Sequence, residues 1–345
     1  MNPTILLILL SSLATGTIIT MTSHHWIFAW IGLEINTLAI IPTIATSHNP
    51  RSTEAATKYF LTQAAASAMI LFSSMINAWQ TGTWNITNLS SMPAHIFLTL
   101  ALAMKLGLAP LHFWLPEVLQ GSTLTTALII STWQKLAPLT LIYLTINNLS
   151  TTTLIVLGLL SATIGGWGGL NQTQIRKIVA YSSIAHLGWM FTISSIMANI
   201  LTLNLVLYII LTTALFFSLI MTQSKTIQDT TTSWTLSPMM TTTMMMLLLS
   251  LAGLPPLTGF MPKWLILNEL ITQNLTLIAI IMTMSTLLSL FFYLRLAYTT
   301  ALTLSPNMIQ AKFKWRLKPL PSTLPFMLLT PVSILFLPMM PLILL

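Results

Sequence analysis

The chain has 345 residues, a mean hydropathy of +0.85, 55% hydrophobic side chains and only 5% charged ones. A soluble domain carries roughly 25% charged residues, so this composition excludes a water-solvated globule and makes lipid the solvent. Cysteine is absent, which excludes disulfide frameworks, zinc clusters and thiol redox chemistry.

A helix needs about 20 apolar residues to span the hydrocarbon core. That length predicts eleven spans in chain order: 3–21, 25–45, 57–78, 94–119, 122–146, 151–170, 175–196, 199–222, 237–261, 272–299 and 323–344. The first basic residue is Arg51. Neither a secretory signal nor a mitochondrial presequence is therefore expected, and span one is read as retained. The longer loops, 79–93, 223–236 and 300–322, leave no room for a soluble domain. The expected fold is all-α and polytopic, a single membrane domain over 1–345.

The net charge of +8 lies mainly in loops. Arg51 and Lys58, Arg176 and Lys177, Lys225, and Lys312, Lys314, Arg316 and Lys318 all follow even-numbered spans. Loops after spans one, three, five and seven hold no Lys or Arg. This places the N-terminus and the even loops on the positive-inside face and the C-terminus opposite. The stretch from Lys312 to Lys318, with Phe313 and Trp315 interleaved, is read as a surface facing an anionic leaflet or a partner subunit, not nucleic acid.

Two spans share a pattern. Gly107-Leu-Ala-Pro-Leu-His-Phe-Trp-Leu-Pro116-Glu117 in span four is echoed 146 residues later by Gly253-Leu-Pro-Pro-Leu-Thr-Gly-Phe-Met-Pro262-Lys263 in span nine. Proline removes a backbone donor and clashes with the preceding turn. Both spans should be broken helices, with unpaired carbonyls that must face protein or a hydrated cavity. Spans four and nine cross in opposite directions, so the halves are inverted repeats, spans one to five (1–146) and six to ten (151–299), with span eleven (323–344) added. Broken helices in inverted repeats mark transporter cores.

Ionisable residues lie within or beside the spans: Glu34, Lys105, Lys135 and Lys263, with Arg295 near a span end and free to snorkel. Each central charge costs about 2.5–3.5 kcal/mol even on a lenient insertion scale, so four cost roughly 10–14 kcal/mol. One acid cannot neutralise three lysines. A lysine lacking an acidic partner in low dielectric can exchange a proton near neutral pH, as a proton relay requires. His112, just past the first break, and His186, within span seven, are further candidate relay members. The run Gly165-Gly166-Trp167-Gly168-Gly169 is read as close packing. No metal-ligand spacing and no nucleotide, flavin or haem motif is visible.

Glu34, Lys105, Lys135, the Gly107–Pro116 motif, Ser182-Ser-Ile-Ala-His186-Leu-Gly and Leu254-Pro-Pro-Leu-Thr-Gly-Phe260, in this order and spacing, resemble the antiporter-like membrane subunits of respiratory complex I. The resemblance runs from the first residue to the last. It implies a proton-channel subunit, with Glu34 and Lys105 as a carboxylate–lysine pair, Lys135 as the central relay lysine and Lys263 as the terminal site. The family generally has more helices than eleven, so another subunit or lipid would cover one side. It also implies a mitochondrial inner-membrane location, N-terminus in the matrix and C-terminus in the intermembrane space. Expected partners are other membrane-arm subunits and membrane lipid, with cardiolipin a candidate. NADH, FMN, iron–sulfur clusters and ubiquinone would belong to other subunits, none to this chain. The alternatives are an independent cation/proton antiporter, disfavoured because buried lysines repel Na⁺, and a scaffold subunit of the membrane arm.

Overall fold

Helices follow one another through nearly all of the chain in a computed structural model, which describes residues 3–236, 238–302 and 324–339. In order they are α1 (Pro3–Thr22), α2 (Trp26–Ile44), α3 (Pro50–Thr81), α4 (Met92–Leu106), α5 (Trp114–Gly121), α6 (Leu124–Ser131), α7 (Leu136–Thr145), α8 (Thr151–Gly168), α9 (Ile175–Ser194), α10 (Ala198–Thr222), α11 (Ile227–Leu236), α12 (Pro238–Ala252), α13 (Phe260–Thr272), α14 (Thr276–Leu302) and α15 (Leu324–Leu335). Among the described residues, strand-like pairing is confined to two isolated bridges.

Among the described residues, seven helices are long and apolar enough to cross a membrane: α1, α2 with its terminal 3-10 turn, α3, α6 to α7, α8, α10 and α14. Spans four and nine fall below that length because each is split, into α4 and α5 and into α12 and α13. Span seven, α9, is diluted by Arg176, Lys177, His186 and its serines. The basic stretch from Lys312 to Lys318 lies outside the described residues.

Boundaries moved where local chemistry outweighed hydropathy. Span three starts at Pro50 rather than 57 because Pro at the first helical position is already preset for helix. The Asn49 N–H donates to Ser52 Oγ at 3.1 Å, closing that end. Span nine continues through α13 to Thr272 instead of stopping at 261. The expected loop 223–236 contains α11, whose first turn is held by Asp229: its Oδ2 accepts from the Lys225 and Thr226 amides at 2.9 and 2.8 Å.

Lipid offers no hydrogen bonds, so hydroxyls in the spans are best satisfied within their own helices. Many are. Thr20, Thr43, Ser73, Ser183, Ser218 and Ser285 each donate to the carbonyl three residues back at 2.6–2.8 Å.

The chain divides into two compact units, Met1–Ala162 with His186–Leu201, and Thr163–Ala185 with Thr202–Leu345. In the first, Gly16 and Gly32 let α1 and α2 cross closely, for a Cβ on Gly16 would stand 2.9 Å from the Gly32 carbonyl oxygen. A backbone bridge joins the loop after α1 to the loop after α3: Trp26 N–H donates to Trp84 O, and Ile86 N–H to His24 O, both at 3.1 Å. His25 adds a stack on Trp84, with centroids 5.8 Å apart.

In the second unit, Ile175 N–H donates to Lys225 O and Ile227 N–H to Thr173 O, both at 3.2 Å. This bridges the loop after α8 to the loop after α10. Ala214, Leu247 and Phe326 pack α10, α12 and α15 together. Gly165 and Gly169 are packing surfaces as the glycine run suggested, the first against Ala185 and the second against the Phe292 ring.

Candidate functional site

The site in the first unit is assembled from helix ends. α4 stops at Leu106 because Gly107 adopts a left-handed conformation, φ +77°. A helix end leaves its last carbonyls without intrahelical donors. Here the Ala103, Met104 and Lys105 carbonyls find partners. The Gly107 and Leu108 amides reach Ala103 O at 2.9 Å, the Trp114 indole reaches Met104 O at 3.1 Å and the Gln63 amide reaches Lys105 O at 3.4 Å. The expectation of open carbonyls is therefore corrected at this break: protein donors cap them.

Lys105 sits in that last turn of α4 and is buried. Its Nζ has no hydrogen-bond partner in the structure. Lys135 is also buried, and lies on a 3-10 turn, Trp133–Lys135, that separates α6 from α7. This third interruption, beyond the two that the repeat indicated, has a cause visible in the sequence. Pro138 carries no N–H for Gln134 O, and its ring crowds that same carbonyl.

The two breaks deliver their lysines to one place. Lys105 and Lys135 line a common cleft with Asn36, Thr37, Tyr59, Gln63, Trp114 and Gln134. It encloses about 10 Å³, room for about one water molecule. Tyr59 is 2% exposed and packs edge-on against the Trp114 ring at 5.7 Å. Sequence reasoning passed over Asn36, Tyr59 and Gln63. The signal available was a polar side chain at a buried position of an otherwise apolar span.

Glu34 stands beside this cleft rather than in it. It lies on α2, half-buried, one turn before Thr37, which donates to the Glu34 carbonyl at 2.8 Å. Its Oε2 has no hydrogen-bond partner, and no ion-pair contact joins it to Lys105, although the two charges are near enough to interact. The carboxylate–lysine pair implied by the resemblance is thus open in this structure.

His112 is buried in the link between α4 and α5, its ring 4.3 Å from that of Phe113. His186 is half-buried on α9. Both belong to the first unit, and neither lines the cleft.

The second unit holds its own break. Gly253, φ +84°, ends α12, and Lys263 on α13 donates from Nζ to Ala252 O at 2.7 Å. Lys263 is therefore the carbonyl cap of its break. Arg295 is an anchor: Nη1 and Nη2 reach Leu170 O and Gln172 O, each at 2.5 Å, and hold the turn after α8.

Comparison with known proteins shows where this arrangement belongs. The model of the NADH:quinone oxidoreductase/Mrp antiporter transmembrane family matches residues 23–289, and that of the NADH dehydrogenase subunit 2 C-terminus matches 290–344. The chain belongs to the NADH:quinone oxidoreductase/Mrp antiporter family. A curated member, NADH-ubiquinone oxidoreductase chain 2 of Polypterus ornatipinnis, is 56% identical over 318 residues, 92% of each chain. Among solved structures, a chain of respiratory complex I from Thermus thermophilus with bound aureothin superposes with a TM-score of 0.84 at 25% identity. The match covers 99% of this chain and 80% of that one. A chain of the Mrp complex from Dietzia sp. DQ12-45-1b gives 0.79 at 17% identity, over 87% and 61%, and so shares the fold. In family terms this chain is an antiporter-like membrane subunit of complex I.

Proposed function

We propose that the chain provides a proton path across the membrane, driven by NADH oxidation and ubiquinone reduction carried out in other subunits of the complex. The observation that carries this reading is the shared cleft: two buried lysines, each brought in by a helix break, face one narrow polar gap. Helix breaks at membrane depth cost backbone hydrogen bonds, and buried lysines cost solvation. Packing alone asks for neither.

The electrostatics give the direction of work. With Glu34 close to Lys105, the carboxylate compensates the ammonium and a proton can rest on Lys135. As the pair opens, the uncompensated charge on Lys105 repels a proton on Lys135 and drives it onward. Moving one charge against 100 mV costs about 2.3 kcal/mol. Desolvation and a nearby charge shift a buried lysine by up to about 3–5 pKa units, more than the two or so that this work demands.

On this reading Lys263 is the exit-side member, and His112 and His186 are accessory proton carriers. The inverted-repeat division into spans one to five and six to ten draws support from the two backbone bridges. One joins loops after odd-numbered spans, the other loops after even-numbered spans. The reading further places the protein in the mitochondrial inner membrane, with the N-terminus in the matrix and the C-terminus in the intermembrane space, contacting neighbouring membrane-arm subunits and lipid. This chain itself would hold no redox group.

The test is proton pumping and NADH–quinone turnover in membranes bearing Lys135→Met, with assembly checked on the same sample. Collapse of pumping in an assembled complex is the expected result. Normal assembly with normal pumping would leave a scaffold.

A further inference from the structure

The three glycines with positive φ, Gly82, Gly107 and Gly253, all end helices, yet what surrounds them differs. A Cβ added at Gly82 would meet nothing within 4 Å. One at Gly107 would meet the Leu115 and Trp114 side chains at 3.1–3.4 Å. At Gly253 the space is taken by a single side chain: Lys263 places Nζ at 2.9 Å, Cδ at 3.0 Å and Cε at 3.1 Å from that Cβ position. The lysine lies over the glycine along its length, and its ammonium ends on the carbonyl of the preceding residue, Ala252.

We infer that Gly253 is a positioning residue for Lys263: its missing side chain is the seat in which the ammonium caps the broken end of α12. The inference rests on the proton-path reading and adds a residue to it. α12 ends with the Ala252 carbonyl on Lys263, and a helix C-terminus carries partial negative charge that favours a cation. At most helix ends that position is filled by water or a backbone amide. Here it is filled by a group able to gain or lose a proton.

The protonation state of Lys263 and the closure of the break are thereby coupled. A neutral amine is a weaker donor than an ammonium to the same carbonyl. A side chain at position 253 makes the lysine give by a few tenths of an ångström along its stem and head, which shifts the ammonium from its place on Ala252 O. Ser250 O receives the Gly253 amide at 3.0 Å, which ties the glycine to its own helix and leaves the lysine as the part that moves.

The experiment uses the assembled complex in its membrane, with Gly253→Ala, Lys263→Met and their combination. Gly253→Asn serves as a second variant, because asparagine tolerates the left-handed conformation while still filling the seat. Gly82→Ala controls for left-handed strain with no neighbour to displace. Protons pumped per NADH oxidised are read together with the pH profile of coupled turnover.

The expected result is a pumping ratio reduced at least twofold in both Gly253 variants. Their pH profile should be displaced by about one unit or more, the scale of one charge-assisted hydrogen bond. Gly82→Ala should leave the profile in place, and the double variant should be no worse than Lys263→Met alone. Additive losses in the double variant, or an unmoved pH profile in both Gly253 variants, would overturn the positioning role while leaving the proton path standing. Normal pumping by Lys263→Met would instead remove Lys263 from the path, and the seat with it.

Discussion

The two repeat-motif breaks use one backbone device and finish it differently. Each ends a helix at a left-handed glycine that is followed by proline. At the first, the indole of Trp114 and the amide of Gln63 supply the capping donors, and neither group titrates. At the second, the donor is Lys263. The position ten residues after the glycine shows the exchange directly. Glu117 follows Gly107 by the same interval at which Lys263 follows Gly253, yet Glu117 is half exposed and paired with Lys58 at 2.6 Å. A repeat can thus keep its fold and move its titratable group. The first break keeps a lysine before the glycine, free of the capping task and facing Lys135 across the cleft.

The sharpest way to break this comparison is to empty the first cleft of one charge. Lys105→Met should lower coupled pumping at least tenfold, measured as protons per NADH in assembled complex, because no other cation in the cleft can act on Lys135. Equal pumping would show that the cleft is structural. Next in size, Trp114→Phe removes the indole donor and leaves Met104 O only the Gly107 amide at 3.2 Å, at a cost of about 0.5–1.5 kcal/mol. The check is a lower thermal midpoint of the purified complex, with faster hydrogen exchange at Gly107 and Leu108. An unchanged midpoint would mean that water replaces the indole.

Smaller effects lie at the rims. Asp229 is partly buried, which opposes ionisation, but the Thr226 and Lys225 amides and the Lys225 charge outweigh this and hold its carboxyl below its ordinary value of 3.8. The sign follows. The stabilisation of the first turn of α11 is complete above 3.8 and disappears as pH falls through the lower folded value. Exchange of the Lys225 and Thr226 amides should therefore stay protected down to about pH 4 and lose protection below it, while Asp229→Asn weakens it at every pH. The smallest effect is expected from Glu117→Gln, whose exposed pairing with Lys58 is screened by salt. Its thermal midpoint should shift less than that of Trp114→Phe, and the shift should vanish at high salt.

Much of this was legible from sequence, and the rest divides by cause. Hydropathy located the helices, seven of which among the described residues meet the length that lipid imposes. Gly107 and Gly253 marked two breaks. The third, at Lys135, was also written there, in Pro138 four residues after Gln134, but the surrounding apolar run masked it. Asn49-Pro50 with Ser52 similarly signalled the early start of α3. The partners of the broken ends were not readable. Which donor reaches Met104 O or Ala252 O depends on the direction in which a distant side chain returns, and a one-dimensional pattern holds no direction. For the same reason the sequence did not tell which carbonyls Arg295 holds, nor that Glu34 and Lys105 make no ion-pair contact here.

On the proposed proton path, the size of the cleft between Lys105 and Lys135 would limit what can permeate. About 10 Å³ admits one water molecule and no hydration shell. A sodium ion arriving there would have to strip itself of water beside two buried lysines. A proton needs no such vacancy, because it passes along as bonds are exchanged and a single molecule reorients. Selectivity would then come from dehydration that the gap never repays, and each transfer would wait on the turning of one water.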